Sequence, residues 1–226
     1  MTRTVVLTGA AGNLGRAVAS AFADIGASLA LLDVKPGGIQ DSARQVFVQT
    51  DLLDAQSVQA AADQVLQRFG RIDVLCNLAG GFRMGPPVHE TSAQDWDFLF
   101  DLNARTLLHT AKAMVPAMLK GGGGKIVNVA AYAAQKGSAR MGAYAASKSA
   151  VIRLTETMAA ELREHNINVN CVLPTILDTP QNRADMPQAD PRRWVAPADL
   201  AQVIVFLASD AARAVHGAAL PVSGLS

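Results

Sequence analysis

Residues 8–15 read TGAAGNLG, and their setting decides the fold. The stretch leaves an apolar, β-rich run at 3–9 (RTVVLTG) and enters a helical pattern at 15–25. Glycines at 9, 12 and 15 let the backbone turn sharply and come close to a bulky anion, whose charge is met by amides at the start of the next helix. A glycine trio alone also fits a plain turn. Between a strand and a helix, near the start of an alternating chain, it predicts a dinucleotide site built on Gly9, Gly12, Asn13, Leu14 and Gly15.

Working outward, six further strand-like runs follow: ASLALLD, QVFVQTD, DVLCNLAG, GKIVNVA, INVNCVLP and GAALPVS. Helical periods occupy 55–69, 96–119, 144–164 and 197–208. Parallel strands need helix-length crossovers, so this alternation predicts a doubly wound, parallel seven-stranded sheet with helices on both faces. No composition shift or linker divides the chain, and the expectation is one α/β domain over 1–226. The GGGGK at 121–125 reads as a turn between helix and strand. Two longer segments, 80–94 and the proline-rich 175–197, each follow a strand at the edge where such sheets bind ligands. They are the expected substrate pocket and its lid.

Asp33 ends the second run, 18 residues past Gly15, close to the spacing at which a carboxylate accepts from ribose hydroxyls. It would repel a 2'-phosphate, so NAD(H) is favoured over NADP(H). A solvated turn aspartate, with Lys35 two residues on, is the alternative.

Half of the 226 residues are apolar and 17% are charged, with a formal charge of +1 and no basic block. That balance offers no footprint for nucleic acid or an anionic membrane, and the expected partners are small molecules and copies of the same chain. The opening MTRTVVLTGA enters a strand at once, without a charged leader and apolar stretch, which makes the cytoplasm the default location. Cys76 and Cys171 sit in apolar strand-like runs and read as buried reduced thiols. His89, His109, His165 and His216 have no metal-ligand spacing, so no metal is expected.

Tyr144 and Lys148 stand four apart in a helical pattern and face the same way. A lysine cation near a phenol favours the phenolate, so the pair reads as a proton donor or acceptor whose pKa is drawn down toward working pH. The alternative is an interfacial tyrosine with a solvated lysine.

With these residues in hand, the chain resembles the short-chain dehydrogenase/reductase family over nearly its whole length. The resemblance rests on the glycine loop, Asp51 after the third strand, NLAG at 77–80, DLNART around Asn103 and YAASK at 144–148. It implies a Rossmann fold and a homodimer or homotetramer joined through the 144–164 helix and its neighbour, the helix carrying Ala150, Val151, Leu154, Met158 and Leu162 on more than one face. It further implies that Lys148 holds the nicotinamide ribose and that Asn103 anchors a water leading protons to Lys148. Asp51 and Leu52 would border the adenine, Asn77, Ala79 and Gly80 would line the dinucleotide path, and Thr179 would meet the carboxamide, beyond a cofactor-side Pro174 that is followed by Thr175 where the family has glycine.

Two departures bear on the substrate. The family spaces its glycines TGxxxGxG, whereas this chain reads TGxxGxxG with Asn13 in place of the second glycine. The family's catalytic serine belongs 13 residues before the tyrosine, where this chain has Ala131. Losing one oxyanion donor typically costs on the order of a hundred- to a thousand-fold. Ser138 is nearer in sequence but falls in the following loop.

The dihydropteridine reductase branch retains the tyrosine and lysine, lacks the serine and is similar in its glycine spacing. It is also similar at Ala79 to Phe82 and at 177–190 (LDTPQNRADMPQAD) with Trp194 beyond. The leading expectation is therefore NADH-dependent reduction of a quinonoid dihydropterin or similar electrophile. The alternatives are a general carbonyl or alcohol dehydrogenase and a non-catalytic NAD-binding sensor. Phe82 is expected either to stack on a planar ring or to pack its loop, while Asn182 and Arg183 either meet the ring or latch the lid. His89 reads as a loop residue.

Overall fold

A computed structural model describes residues 2–226. Seven parallel strands form one sheet in the order β3-β2-β1-β4-β5-β6-β7. They are β1 Thr4–Thr8, β2 Ser28–Asp33, β3 Gln45–Gln49, β4 Val74–Asn77, β5 Gly124–Val129, β6 Ile167–Pro174 and β7 Ala219–Val222. The helices are α1 Asn13–Asp24, α2 Ala55–Phe69, α3 Ala93–Phe100, α4 Thr106–Lys120, α5 Gly142–Leu162, α6 Pro180–Asp185 and α7 Pro197–Leu207. None of the helices among the described residues is long and apolar enough to cross a membrane.

The central strands are continuous apolar runs because both of their faces are covered. On β1, Val5 and Leu7 point to one face, where Val18 and Phe22 of α1 and Leu200 and Ile204 of α7 close the core. Val6 points to the other, against Val58 and Val65 of α2 and Met114 and Met118 of α4. A third cluster seats Val151 and Ile152 of α5 on Cys171 and Leu173 of β6. The apolar residues of α5 expected at a subunit contact are therefore largely in the core: Val151 and Leu162 are buried, and Leu154 and Met158 pack against the clusters. Cys76 and Cys171 are buried and unbridged, and burial pushes both thiols up, Cys171 to about 11.

The β2-to-β3 crossover, residues 34–44, contains no helix, as the missing helical period there implies, and the edge strand β3 is only half-buried along most of its length. The helix expected over 96–119 is two helices, separated by one π-type stretch at Asp101–Arg105. That widened turn brings Asn103 inward, where it is buried. The segment 175–197 also contains the short α6, which the proline content had concealed.

The sheet order reverses between β1 and β4, and the C-terminal ends of these strands open the crevice where doubly wound folds hold ligands. Asp33, Asn77 and Pro174 each end a strand along this edge.

Candidate active site

The glycine loop leaves β1 and starts α1 at Asn13, with Gly12 as its N-cap. No side chain caps α1 and no acidic residue stands in its first turn, whereas Asp54 caps α2 and Ser92 caps α3. The uncapped amides and helix dipole suit a pyrophosphate. A Cβ at Gly15 would run into the Gly9 carbonyl oxygen and the Ala10 backbone, so the loop closes only with glycine there. Leu14 packs on the core beneath, and Asn13 is exposed at the helix start.

Asp33 ends β2 facing this loop. Its Oδ2 accepts from the Ala11 amide at 3.0 Å and its Oδ1 from the Val34 amide at 2.8 Å. Arg16 ties the loop to the helix-free crossover, donating from Nε to the Ala11 carbonyl and from NH2 to the Gly37 carbonyl. Asp51 is exposed and accepts from the Leu53 amide at 2.9 Å, while Leu52 is buried with its carbonyl 2.9 Å from His109 Nδ1. Uncapped amides at one end and a ribose-spaced carboxylate at the other form a donor and acceptor set that fits a dinucleotide.

The NLAG segment is held from beneath. Thr8 Oγ1 accepts from the Leu78 and Ala79 amides at 3.0 and 3.2 Å. The Asn77 side chain turns into the core, donating to Asn128 Oδ1 at 2.9 Å and accepting from the Thr110 hydroxyl at 2.8 Å. Asn128 in turn donates to Thr155 Oγ1 on α5. The Asn77 side chain, expected to line the dinucleotide path, instead braces β4 against β5 and α4. Thr8, Thr110, Asn128 and Thr155 were not singled out from the sequence. Only a buried polar residue within an apolar run signals them.

Tyr144, Lys148 and Asn103 do come together. Asn103 Oδ1 accepts from the Gly81 amide at 2.9 Å, and its Nδ2 donates to the Gly81 carbonyl at 3.1 Å and to Ser147 Oγ at 3.0 Å. The Ser147 hydroxyl donates to the Tyr144 carbonyl at 2.8 Å. Lys148 Nζ donates to the Val129 carbonyl at 2.9 Å. A Cβ placed on Gly80 would lie 2.8 Å from Lys148 Nζ and 2.9 Å from Asn103 Oδ1, so both groups converge on one hollow. Phe82 meets the Tyr144 ring edge-on, centroids 4.9 Å apart at 88°.

The electrostatics correct one expectation. Burial, rather than the lysine, dominates at Tyr144 and pushes its phenol up to about 12. Burial likewise pulls Lys148 down to about 8, partly offset by Cys171. Burial thus favours the protonated phenol at neutral pH.

The remaining positions resolve as follows. Ala131 is buried at the start of a 3₁₀ turn after β5, and Ser138 is exposed in the loop beyond. Pro174 ends β6, buried beside Val222. Thr179 caps α6, its hydroxyl accepting from the Asn182 amide at 3.2 Å. Asn182 donates to the Leu177 carbonyl at 2.8 Å, and Arg183 grips the Asp178 carboxylate with two bonds of 2.6 and 2.8 Å. Both side chains are thus engaged within their own segment.

A family model described as "Enoyl-(Acyl carrier protein) reductase" matches residues 9–224. Among characterised relatives, "D-threitol dehydrogenase" of Mycolicibacterium smegmatis is 37% identical over 98% of this chain and 92% of its own. "7alpha-hydroxysteroid dehydrogenase" of Escherichia coli is 34% identical over 98% and 93%. Among solved structures, NAD+-bound xylitol dehydrogenase superposes with a TM-score of 0.88 at 28% identity, covering 98% of both chains. ElxO with NADP bound superposes with a TM-score of 0.91 at 25% identity, covering 99% and 98%. On this combination of family match, sheet order and full-length similarity, the chain belongs to the short-chain dehydrogenase/reductase family.

Proposed function

We propose that the protein is an NAD(H)-dependent oxidoreductase interconverting a secondary alcohol and its ketone, with Tyr144 as the proton donor and acceptor. The observation that carries this reading is the convergence of Lys148 Nζ and Asn103 Oδ1 beside Gly80, one helical turn from Tyr144. When bound, the nicotinamide ring supplies or takes up the hydride. In reduction, as the carbonyl carbon gains hydride, its oxygen takes the phenolic proton of Tyr144. Lys148, drawn down to about 8, then restores that proton from the hollow it shares with Asn103. Gly9, Gly12, Asn13, Leu14 and Gly15 receive the pyrophosphate, Asp33 the adenosine ribose, Asp51 and Leu52 the adenine. Ala79, Gly80, Pro174 and Thr179 border the nicotinamide end, under a lid formed by 175–197.

NAD(H) is favoured because the Asp33 carboxylate faces the loop where a 2'-phosphate would have to sit. The alcohol reading is supported by relatives whose names specify a polyol and a hydroxysteroid. The quinonoid dihydropterin reading is second, favoured by Ala131 and by residues 177–190. Exposed Trp96, Phe98 and Leu108 on α3 and α4 support burial of that side on a second copy.

The test is a spectrophotometric assay of polyols, ring alcohols and ketones with NAD(H) and NADP(H), beside quinonoid dihydropterin. Alcohol turnover abolished by Tyr144→Phe is expected. Turnover of the pterin alone would transfer the assignment to the second reading.

A further inference from the structure

Ser147 stands on α5 between Tyr144 and Lys148, and it is fully buried. A serine hydroxyl has one hydrogen to give. Here that hydrogen goes to the Tyr144 carbonyl, 2.8 Å away, so toward any other partner Ser147 is an acceptor. That partner is Asn103 Nδ2 at 3.0 Å, a bond that ties α5 to the π-type turn across 44 residues of chain.

The direction of this bond orients the Asn103 amide, which carries an acceptor on one side and two donor hydrogens on the other. With Nδ2 committed to Ser147 and to the Gly81 carbonyl, Oδ1 is turned toward the Gly81 amide and the hollow beside Gly80. Lys148 Nζ, a donor, closes the same hollow. An inverted amide would set Nδ2 against that ammonium and would leave Ser147 facing Oδ1 with no hydrogen between them. Asn103 is only 3% exposed, so without the Ser147 hydroxyl one of its amide hydrogens would lose its partner where water scarcely reaches.

We propose that Ser147 is a positioning residue for the proton step. It acts through Asn103, fixing the polarity of the amide so that an acceptor, rather than a donor, shares the hollow with Lys148. This inference rests on the alcohol–ketone reading above, whose proton path runs through that hollow.

The test uses the polyol or ring alcohol that the wild type oxidises fastest, assayed in water and in heavy water. Ser147→Ala introduces no clash, and thermal melting checks its fold; Ser147→Cys, which fills the volume with only a weak acceptor, repeats the test should the alanine protein not fold. Ser147→Ala is expected to lower kcat by about tenfold or more, with KM for alcohol and NAD+ each within about twofold. The solvent deuterium isotope effect on kcat should rise as proton transfer becomes slower than hydride transfer. In an Asn103→Ala background the same substitution should cost no more than about twofold, because the group it orients is already gone.

A kcat within about twofold of wild type, an unchanged solvent isotope effect, or an equal loss in the Asn103→Ala background would each overturn the assignment, while wild-type turnover abolished by Tyr144→Phe would leave the alcohol–ketone reading standing. No oxidation of any polyol or ring alcohol by the wild type, with either cofactor, would remove both.

Discussion

Lys148 Nζ and Asn103 Oδ1 reach the same point beside Gly80 from two different elements, α5 and the π-type turn between α3 and α4. Asn103 is pinned there through Gly81 and Ser147, and Lys148 through the Val129 carbonyl at the end of β5. The proton path of the proposed reaction therefore depends on a hollow that any side chain at position 80 would fill.

Gly80→Ala should accordingly disable the chemistry with little effect on the fold. Its Cβ would displace Lys148 Nζ, the far end of a flexible side chain, and press on Asn103 Oδ1. Misplacement by about 1 Å is expected to cost on the order of a hundredfold in kcat. Steady-state kinetics beside thermal melting would check that Tm moves by only a few degrees.

Ala131→Ser separates the two substrate classes. Residue 131 has extended backbone (φ −159°) that any residue adopts, and it is buried, so a hydroxyl added there is shielded from water. For a ketone, the added donor is expected to raise kcat by about a hundredfold. Quinonoid dihydropterin reduction, which needs no oxygen polarised, should stay within about twofold. Rates for both substrates with one enzyme preparation decide the matter.

Lys148→Met should stabilise the protein while abolishing turnover. Burial holds the ammonium at about 8 against an ordinary 10.5, a penalty worth roughly 3 kcal/mol. Losing the bond to the Val129 carbonyl costs about 1 kcal/mol, leaving a net gain of about 2 kcal/mol. A group with a depressed lysine pKa binds fewer protons folded than unfolded between pH 8 and 10.5, so wild-type stability recovers as pH rises through that window. The variant's advantage should be full below pH 8 and fade toward pH 10.5, as urea unfolding at several pH values would reveal.

Asp33→Ser is expected to relax cofactor choice. The carboxylate accepts from two backbone amides and excludes a second anion. Its removal should raise the NADP+ to NAD+ ratio of kcat/KM by about tenfold or more, at a stability cost of about 1 kcal/mol for the weakened turn. Paired kinetics with the two cofactors would measure the ratio.

What was legible before folding was local. Gly15 to Asp33 spans one helix and the strand that follows it, and Tyr144 with Lys148 spans one helical turn, so chain geometry alone fixes their placement. The π-type turn was not legible, because its sequence DLNAR carries no helix breaker. It is recognised through Asn103, whose partners at Gly81 and Ser147 lie 22 and 44 residues away. Thr8 was similarly hidden inside the glycine loop's own motif, since the amides it receives belong to residues 78 and 79. The crossover at 34–44, which carries no helical period in the sequence, is helix-free in the fold as well, since an edge strand tolerates one uncovered face.

By itself the sequence determined the alternating architecture, the glycine loop, the carboxylate at Asp33, the Tyr144–Lys148 pair and the missing hydroxyl at Ala131, each a matter of residue type and short spacing. Only the tertiary structure decided the protonation of the pair, because the burial that pushes Tyr144 up and Lys148 down comes from residues distant in the chain. It also decided that the Asn77 side chain braces the core and that Asn182 and Arg183 bond within their own segment. Desolvation and hydrogen-bond competition are properties of the packed neighbourhood, which exists only once β4, β5, β6 and α5 have met.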